Sequence, residues 1–93
     1  MTTASWKGAE IARSDDIVNV DGNAYFAAAD VDDALLEDSA TTSTCPWKGV
    51  ARYKTVVVGG ERNVDAAWYY PDPKPAAAEI KGRYAFWKGV AVA

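Results

Sequence analysis

Two turn dipeptides, Asp21-Gly22 and Gly59-Gly60, most strongly constrain what this chain can fold into. Each stands between two extended runs rich in β-branched and aromatic residues, within residues 17–26 and 50–70. A type I′ turn needs positive φ at both central residues, and such dipeptides supply it. The sequence therefore predicts two β-hairpins with two-residue turns. In the first, Val20 should pair with Asn23 and Val18 with Tyr25.

The turn also sets a register for the second hairpin. One face then carries mostly apolar residues, namely Ala51, Tyr53, Thr55, Val57, Arg62, Val64, Ala66 and Trp68. The other face is mostly polar and places Lys54 opposite Asp65. A slip of one residue would invert the two faces, so the register is self-consistent. Gly49 should then lie opposite Tyr70.

Other segments give shorter signals. Residues 28–37 predict a short helix, with Asp30, Asp32 and Asp33 in its first turn where the helix dipole favours them. Residues 41–44 suit either a loop or an edge strand. Further along, residues 71–75 predict a rigid loop, residues 76–80 a helical turn and residues 83–92 a final strand.

Length and composition bound the class of fold. The chain has 93 residues, which predicts a single domain over residues 1–93. Its four Trp, five Tyr and two Phe can fill the core of so short a chain. We expect a mainly β, small α+β fold of compact, twisted antiparallel sheets with one or two short helices.

The compartment and the macromolecular partners also follow from composition. The formal net charge of −3 argues against nucleic-acid binding, which needs clustered Lys and Arg. No apolar run approaches the ~20 residues of a transmembrane helix, so no membrane partner is expected. The N-terminal residues lack the apolar stretch of a signal peptide. These features predict a cytoplasmic protein that is a monomer or a weak homo-oligomer.

The absence of histidine excludes several kinds of chemistry. There can be no Ser-His-Asp triad and no Cys-His pair, and the one cysteine rules out a structural zinc site built by this chain alone. We predict no metal and no cofactor. Cys45 precedes Pro46 and lies near Lys48, which could lower its pKa, so it is a candidate reactive thiol. Packing as a small hydrophobe is the favoured alternative.

Two short motifs remain. Trp-Lys-Gly occurs at Trp6, Trp47 and Trp87, which we interpret as similar strand starts where a Trp covers the core. Asp30-x-Asp32 looks like a metal-binding pair of the kind used in phosphoryl or nucleotidyl transfer. Residues two apart on a helix point in different directions, so the helix-dipole interpretation is favoured.

Several motifs together resemble one bacterial family, the "domain of unknown function 427". They are Gly22-Asn23-x-Tyr25-Phe26, Thr44-Cys45-Pro46-Trp47-Lys48-Gly49, Asn63-x-Asp65-Ala66-Ala67-Trp68-Tyr69-Tyr70-Pro71 and Lys74-Pro75-Ala76-Ala77-Ala78-Glu79-Ile80-Lys81-Gly82. The resemblance implies a β-tent, Mss4-like fold with an aromatic ligand pocket, and a nucleotidyltransferase-like label. Many β-tent domains carry a four-cysteine zinc site, from which this sequence departs.

These observations predict a ligand site where residues 45–49 meet residues 68–79. The candidate binding residues are Trp47, Lys48, Trp68, Tyr70, Lys74 and Glu79. We expect a small anionic or polar ligand in an aromatic pocket between the sheets, with Lys48 and Lys74 both exposed. The alternative is a protein-interaction module with an exposed patch of Tyr69 and residues 71–75. A nucleotidyltransferase-like enzyme ranks third, because the carboxylate pair and the phosphate loop that it needs are not visible.

Overall fold

Nine β-strands and three short 3-10 segments make up the computed structural model, which describes residues 1–93. The strands are β1 (Thr2–Trp6), β2 (Ala9–Ser14), β3 (Ile17–Val20), β4 (Asn23–Phe26), β5 (Leu36–Cys45), β6 (Gly49–Val58), β7 (Glu61–Tyr69), β8 (Tyr84–Phe86) and β9 (Ala91–Val92). The 3-10 segments are Ala28–Asp30, Asp33–Leu35 and Pro75–Ile80. The predicted mainly β class is confirmed.

The strands form two antiparallel sheets. The three-stranded sheet has the order β2-β1-β9, and the six-stranded sheet has the order β3-β4-β8-β7-β6-β5. β5 is therefore an edge strand, which decides between the two alternatives for residues 41–44. β8 and β9 belong to different sheets, so the predicted final strand over residues 83–92 was wrong. A turn at Trp87, whose carbonyl accepts a hydrogen bond from the Val90 amide, divides it.

The first predicted hairpin is confirmed. Val20 pairs with Asn23 and Val18 with Tyr25 across β3 and β4. Asp21 and Gly22 have φ values of 53° and 79°, as a type I′ turn requires.

The second hairpin begins in the predicted register and then departs from it. Val56 faces Asn63 as expected, but the next pair beyond an irregularity is Lys54 with Ala67. Asp65 lies in this bulge with a φ of 58°. The predicted cross-strand pair of Lys54 and Asp65 was therefore wrong, and Lys54 Nζ instead lies 2.9 Å from a carboxylate oxygen of Asp38.

The bulge changes the register by two residues, so side chains beyond it return to their predicted faces. Tyr53 lies opposite Trp68, and Ala51 shares their face. Gly49 no longer faces Tyr70. A Cβ on Gly49 would stand 3.5 Å from the amide nitrogen of Lys74, so this glycine lies against the proline-rich loop.

Both faces of the six-stranded sheet are buried, and for this reason the prediction of a polar second face was wrong. The first core cluster joins that face to the three-stranded sheet and comprises Ala4, Ile11, Ala12, Phe26, Val31, Val56, Ala66, Ala67, Tyr84 and Phe86. The second cluster lies on the opposite face and comprises Tyr25, Ala51, Tyr70, Ala77, Ile80 and Ala85. Pro75–Ile80, the predicted helical turn, covers part of the opposite face.

The predicted helix over residues 28–37 is absent. Two three-residue 3-10 turns take its place, and β5 begins at Leu36, which pairs with Val56. The Asp32 carboxylate accepts a hydrogen bond from the Ala34 amide and so caps the second turn locally. Asp30 accepts a hydrogen bond from the Ser14 hydroxyl at 2.5 Å. These acids act as local hydrogen-bond acceptors, and the helix-dipole interpretation was wrong.

The Trp-Lys-Gly tripeptides form turns, whereas we expected strand starts. Lys7 and Lys88 both have positive φ, as do the glycines that follow them. In all three copies the lysine ammonium lies over the ring of the preceding tryptophan. The Nζ-to-centroid distances are 5.6 Å for Lys7, 5.5 Å for Lys48 and 5.1 Å for Lys88.

Candidate functional site

A pocket of about 320 Å³ opens on the face of the six-stranded sheet that is turned away from the three-stranded sheet. We call it the aromatic pocket. Its lining residues are Asn23, Lys48, Tyr53, Trp68, Tyr70 and Trp87. The space between the two sheets, where the pocket was expected, is filled by the first core cluster.

Strand alternation builds the floor of the pocket. Tyr53 on β6 lies directly opposite Trp68 on β7, and Tyr70 follows two residues later on the same side. Trp87 arrives from the turn between β8 and β9. Its ring centroid lies 5.8 Å from that of Trp68 and 6.4 Å from that of Tyr53.

The two indole N–H groups are already used within the protein. Trp68 Nε1 donates to the Tyr25 hydroxyl at 3.2 Å, and Trp87 Nε1 donates to the backbone carbonyl of Asp65 at 2.6 Å. Tyr25 is fully buried, so its hydroxyl is a fixed acceptor. Both indoles therefore offer a ligand apolar surface, while hydrogen bonds must come from other lining residues.

Lys48 brings a nearly buried ammonium to the aromatic pocket. Its side chain is 10% exposed, and Nζ donates to a carboxylate oxygen of Asp21 at 3.1 Å. Nζ also lies 5.5 Å from the ring centroids of Trp47 and Tyr70. Burial alone would lower the pKa of Lys48, but the hydrogen bond to Asp21 and the neighbouring tyrosines outweigh it, so the pKa lies above its usual value.

Asp21 reaches Lys48 because of two turns. The first lies at the tip of the β3–β4 hairpin, where Asp21 adopts its left-handed conformation. The second joins β5 to β6 and carries Lys48. The ion pair thus links two hairpins that are distant in sequence, and Asn23 enters the pocket from the same hairpin tip.

Three polar groups in the aromatic pocket keep hydrogen-bonding capacity. The ammonium of Lys48 has three N–H groups, of which one donates to Asp21. The Tyr70 hydroxyl and the side-chain amide of Asn23 make no hydrogen bond to another protein group, and neither is sealed from solvent. Burial raises the pKa of Tyr70, so this hydroxyl keeps its proton at neutral pH.

The comparison with known families agrees with the motifs in the sequence. The family model described as "Domain of unknown function (DUF427)" matches residues 2–92. The chain belongs to the DUF427 family. The suspected family is thereby confirmed, whereas a comparison with curated proteins finds no match.

The structure brings together three of the six predicted binding residues of this DUF427 domain. Lys48, Trp68 and Tyr70 line the aromatic pocket. Lys48 was expected to be exposed, and that expectation was wrong because Asp21 and two aromatic rings enclose its ammonium. Trp47 lies outside the lining, 42% exposed, with its ring against the Lys48 ammonium.

The remaining two predicted residues lie away from the pocket. Lys74 Nζ donates to the Pro46 carbonyl at 2.8 Å and borders a separate groove of about 440 Å³ beside Gly49 and Asp72. Glu79 is exposed, and only its backbone carbonyl is engaged, by Arg83. The segments 45–49 and 68–79 do meet, through the Lys74 amide and the Lys48 carbonyl at 2.9 Å.

Sequence analysis missed Asn23 and Trp87 as lining residues of the DUF427 pocket and assigned Tyr53 only to a core face. Trp87 carried a signal, because it belongs to the third Trp-Lys-Gly copy. Asn23 follows Asp21-Gly22 directly, so the hairpin turn placed it at a tip. Neither signal predicted that Asn23 and Trp87 would meet Lys48, Trp68 and Tyr70 in one pocket.

Cys45 ends β5 close to the aromatic pocket. It is half-buried and packs against the second core cluster. Burial alone would raise the pKa of the thiol, but hydrogen bonds from the backbone amides of Lys48 and Trp47 and the charge of Lys48 lower it below its usual value. The thiol therefore combines both features that were weighed from the sequence, partial packing and a stabilised thiolate.

The acidic pair of the DUF427 domain lies elsewhere. Asp30 and Asp32 border a small cleft of about 170 Å³ near Arg13. No group of three or more Cys, Asp or Glu side chains has a spacing suited to a metal ion. None of the helical segments has the length and apolar character needed to cross a membrane.

Proposed function

We propose that this DUF427 domain binds a small planar molecule with polar groups in the aromatic pocket. The observation that carries the proposal is the position of Lys48, whose nearly buried ammonium faces aromatic walls and retains free N–H groups. Small-molecule sites commonly combine apolar walls with a few polar groups that fix orientation. A volume of about 320 Å³ suits a compound of one or two rings.

The packing of the second half supports this function over an interaction module. The alternative relied on an exposed Tyr69, but the Tyr69 ring is half-buried, 5.0 Å from Tyr84 and beneath the Lys54 ammonium. The third hypothesis, a nucleotidyltransferase, has no supporting observation as specific as the nearly buried Lys48 ammonium in the aromatic pocket. The proposal also keeps four expectations from the sequence: the protein is bacterial, it is cytoplasmic, its fold is of the β-tent type, and it is a monomer or a weak homo-oligomer.

A thermal-shift screen against nucleotides, aromatic acids, aromatic amides and common metabolites tests the proposal. We expect a hit that stabilises the wild type, and stabilisation grows with ligand concentration when a compound binds only the folded state. The hit should lose most of its effect on Lys48→Met, which removes the ammonium and keeps an apolar stem.

Lys7→Met is the matched control, because Lys7 occupies the same position in another Trp-Lys-Gly turn but does not line the pocket. The proposal fails if no compound stabilises the wild type. It also fails if every hit stabilises Lys48→Met and Lys7→Met equally, because the pocket ammonium would then play no part.

A further inference from the structure

The charges around the aromatic pocket compensate one another. The Lys48 ammonium forms an ion pair with Asp21, and Lys88, beside Trp87, lies close enough to Asp65 to affect its carboxylate. Lys88 Nζ also donates to the Val64 carbonyl at 3.2 Å. The pocket therefore contains polar groups without an uncompensated positive charge.

We infer that Asp21 sets the charge of the ligand, so that the aromatic pocket accepts a neutral planar compound bearing a carbonyl group in preference to an anion. This inference rests on the proposed function and selects between the neutral and anionic ligands that it leaves open. It assigns a specificity-determining role to a residue outside the pocket lining.

The argument follows from the space around Lys48 Nζ. One N–H is directed to Asp21 at 3.1 Å, so an acceptor on another N–H stands within a few ångströms of the Asp21 carboxylate. A ligand carboxylate at that position must give up its hydration and is repelled by Asp21, and these two costs offset its attraction to an ammonium that Asp21 already neutralises. A neutral carbonyl oxygen accepts the same hydrogen bond without that repulsion.

The walls and remaining groups fit the same class of ligand. Trp68 and Trp87 offer ring surface without free N–H groups, which suits a flat ring. Tyr70 and Asn23 can hydrogen-bond to a second polar edge of that ring. An aromatic amide has a flat ring, a neutral carbonyl acceptor and a further polar group. The corresponding carboxylic acid has nearly the same shape and differs mainly in its negative charge.

Asp21→Asn is a conservative test of the role of charge. Asparagine tolerates the left-handed conformation of position 21, and Asn-Gly is a preferred type I′ pair, so the hairpin turn is retained. The side-chain carbonyl of asparagine can still accept from Lys48. The substitution thus removes the compensating charge and leaves the ammonium free to attract an anion.

The experiment titrates nicotinamide and nicotinate, which share a ring, into ¹⁵N-labelled protein and follows binding by NMR. We expect the wild type to bind nicotinamide about tenfold more tightly than nicotinate, from like-charge repulsion of this kind. In Asp21→Asn the preference should shift by about tenfold or more towards nicotinate. Glu61→Gln, which makes the same charge change at an exposed position, should keep the wild-type preference.

Two results overturn the inference while leaving the proposed function intact. One is wild-type binding of nicotinate as tight as, or tighter than, that of nicotinamide. The other is an unchanged preference in Asp21→Asn. If neither probe binds any of the three proteins and the thermal-shift screen is also empty, both the inference and the proposed function fail. Binding of another screen hit with neither probe bound refutes only the inference.

Discussion

The bulge in β7 provides a sharp test of how the pocket wall and the edge strand are held together. Asp65 accepts hydrogen bonds from the Ser39 hydroxyl at 2.5 Å and the Thr41 hydroxyl at 2.7 Å, both on β5. Its backbone carbonyl accepts from Trp87 Nε1. Asp65→Asn removes the charge from this acceptor while it keeps the side-chain shape and the tolerance for positive φ.

The expected cost follows from the hydrogen bonds. A bond to a charged group contributes about 1.5–3 kcal/mol and a neutral one about 0.5–1.5 kcal/mol, so each weakened bond loses about 1 kcal/mol. Two such bonds give about 2 kcal/mol, and the solvent exposure of the Thr41 bond reduces the expected loss in the free energy of unfolding to about 1–2 kcal/mol. For a domain of this size, each kcal/mol lowers Tm by about 4–8 °C.

Urea unfolding of wild type and Asp65→Asn at several pH values measures this loss. The hydrogen bonds from Ser39 and Thr41 hold the pKa of Asp65 below its usual value. The stabilisation is therefore complete above the unfolded-state pKa of about 3.9 and disappears as the pH falls through the lower folded-state pKa. Asp65→Asn should lose this part of the acid dependence.

Asp72→Asn provides the control, because it removes the same charge from an exposed loop position. We expect it to leave stability within about 0.5 kcal/mol of the wild type. The reasoning is refuted if Asp65→Asn unfolds within about 0.5 kcal/mol of the wild type at pH 7. It is also refuted if Asp65→Asn keeps the same acid dependence of stability as the wild type and the Asp72→Asn control.

Two further predictions concern groups near the aromatic pocket. Iodoacetamide should alkylate native Cys45 with a pH midpoint below that of the unfolded protein, and Lys48→Met should raise this midpoint. The reason is that burial raises the thiol pKa, but the backbone amides and Lys48 lower it by more. Equal midpoints in native and unfolded protein would contradict the prediction. The free energy of unfolding should fall as the pH rises above about 10, because Lys48, Tyr70 and Tyr84 have raised pKa values and hold their protons more tightly in the folded state. A urea midpoint that stays constant or rises between pH 9 and 11 would disprove this prediction.

Local signals predicted local structure well. Asp21-Gly22 specified its hairpin and register because the required φ values belong to the turn itself. Residues 28–37 were mistaken for a helix because their spacing of apolar residues also fits two short turns followed by a strand. What decided between them was the pairing of Leu36 with Val56, a contact between distant segments.

The candidate site was predicted only in part for a similar reason. Trp68 and Tyr70 followed from strand alternation and from the resemblance to the family. The burial of Lys48 could not be predicted, because it results from Asp21 and aromatic rings brought together by separate turns. The bulge at Asp65 was also hidden, since its hydroxyl partners come from β5.

The two-residue change of register in β7 has a consequence for how this strand can vary in length. Inserting or deleting one residue between the bulge and Trp68 would turn the aromatic side chains towards the three-stranded sheet and place residues of the first core cluster on the pocket face. A change of two residues would preserve both faces and alter only the bulge. Natural insertions and deletions in this part of the strand are therefore expected to come in pairs, and alignments of homologous chains can check this.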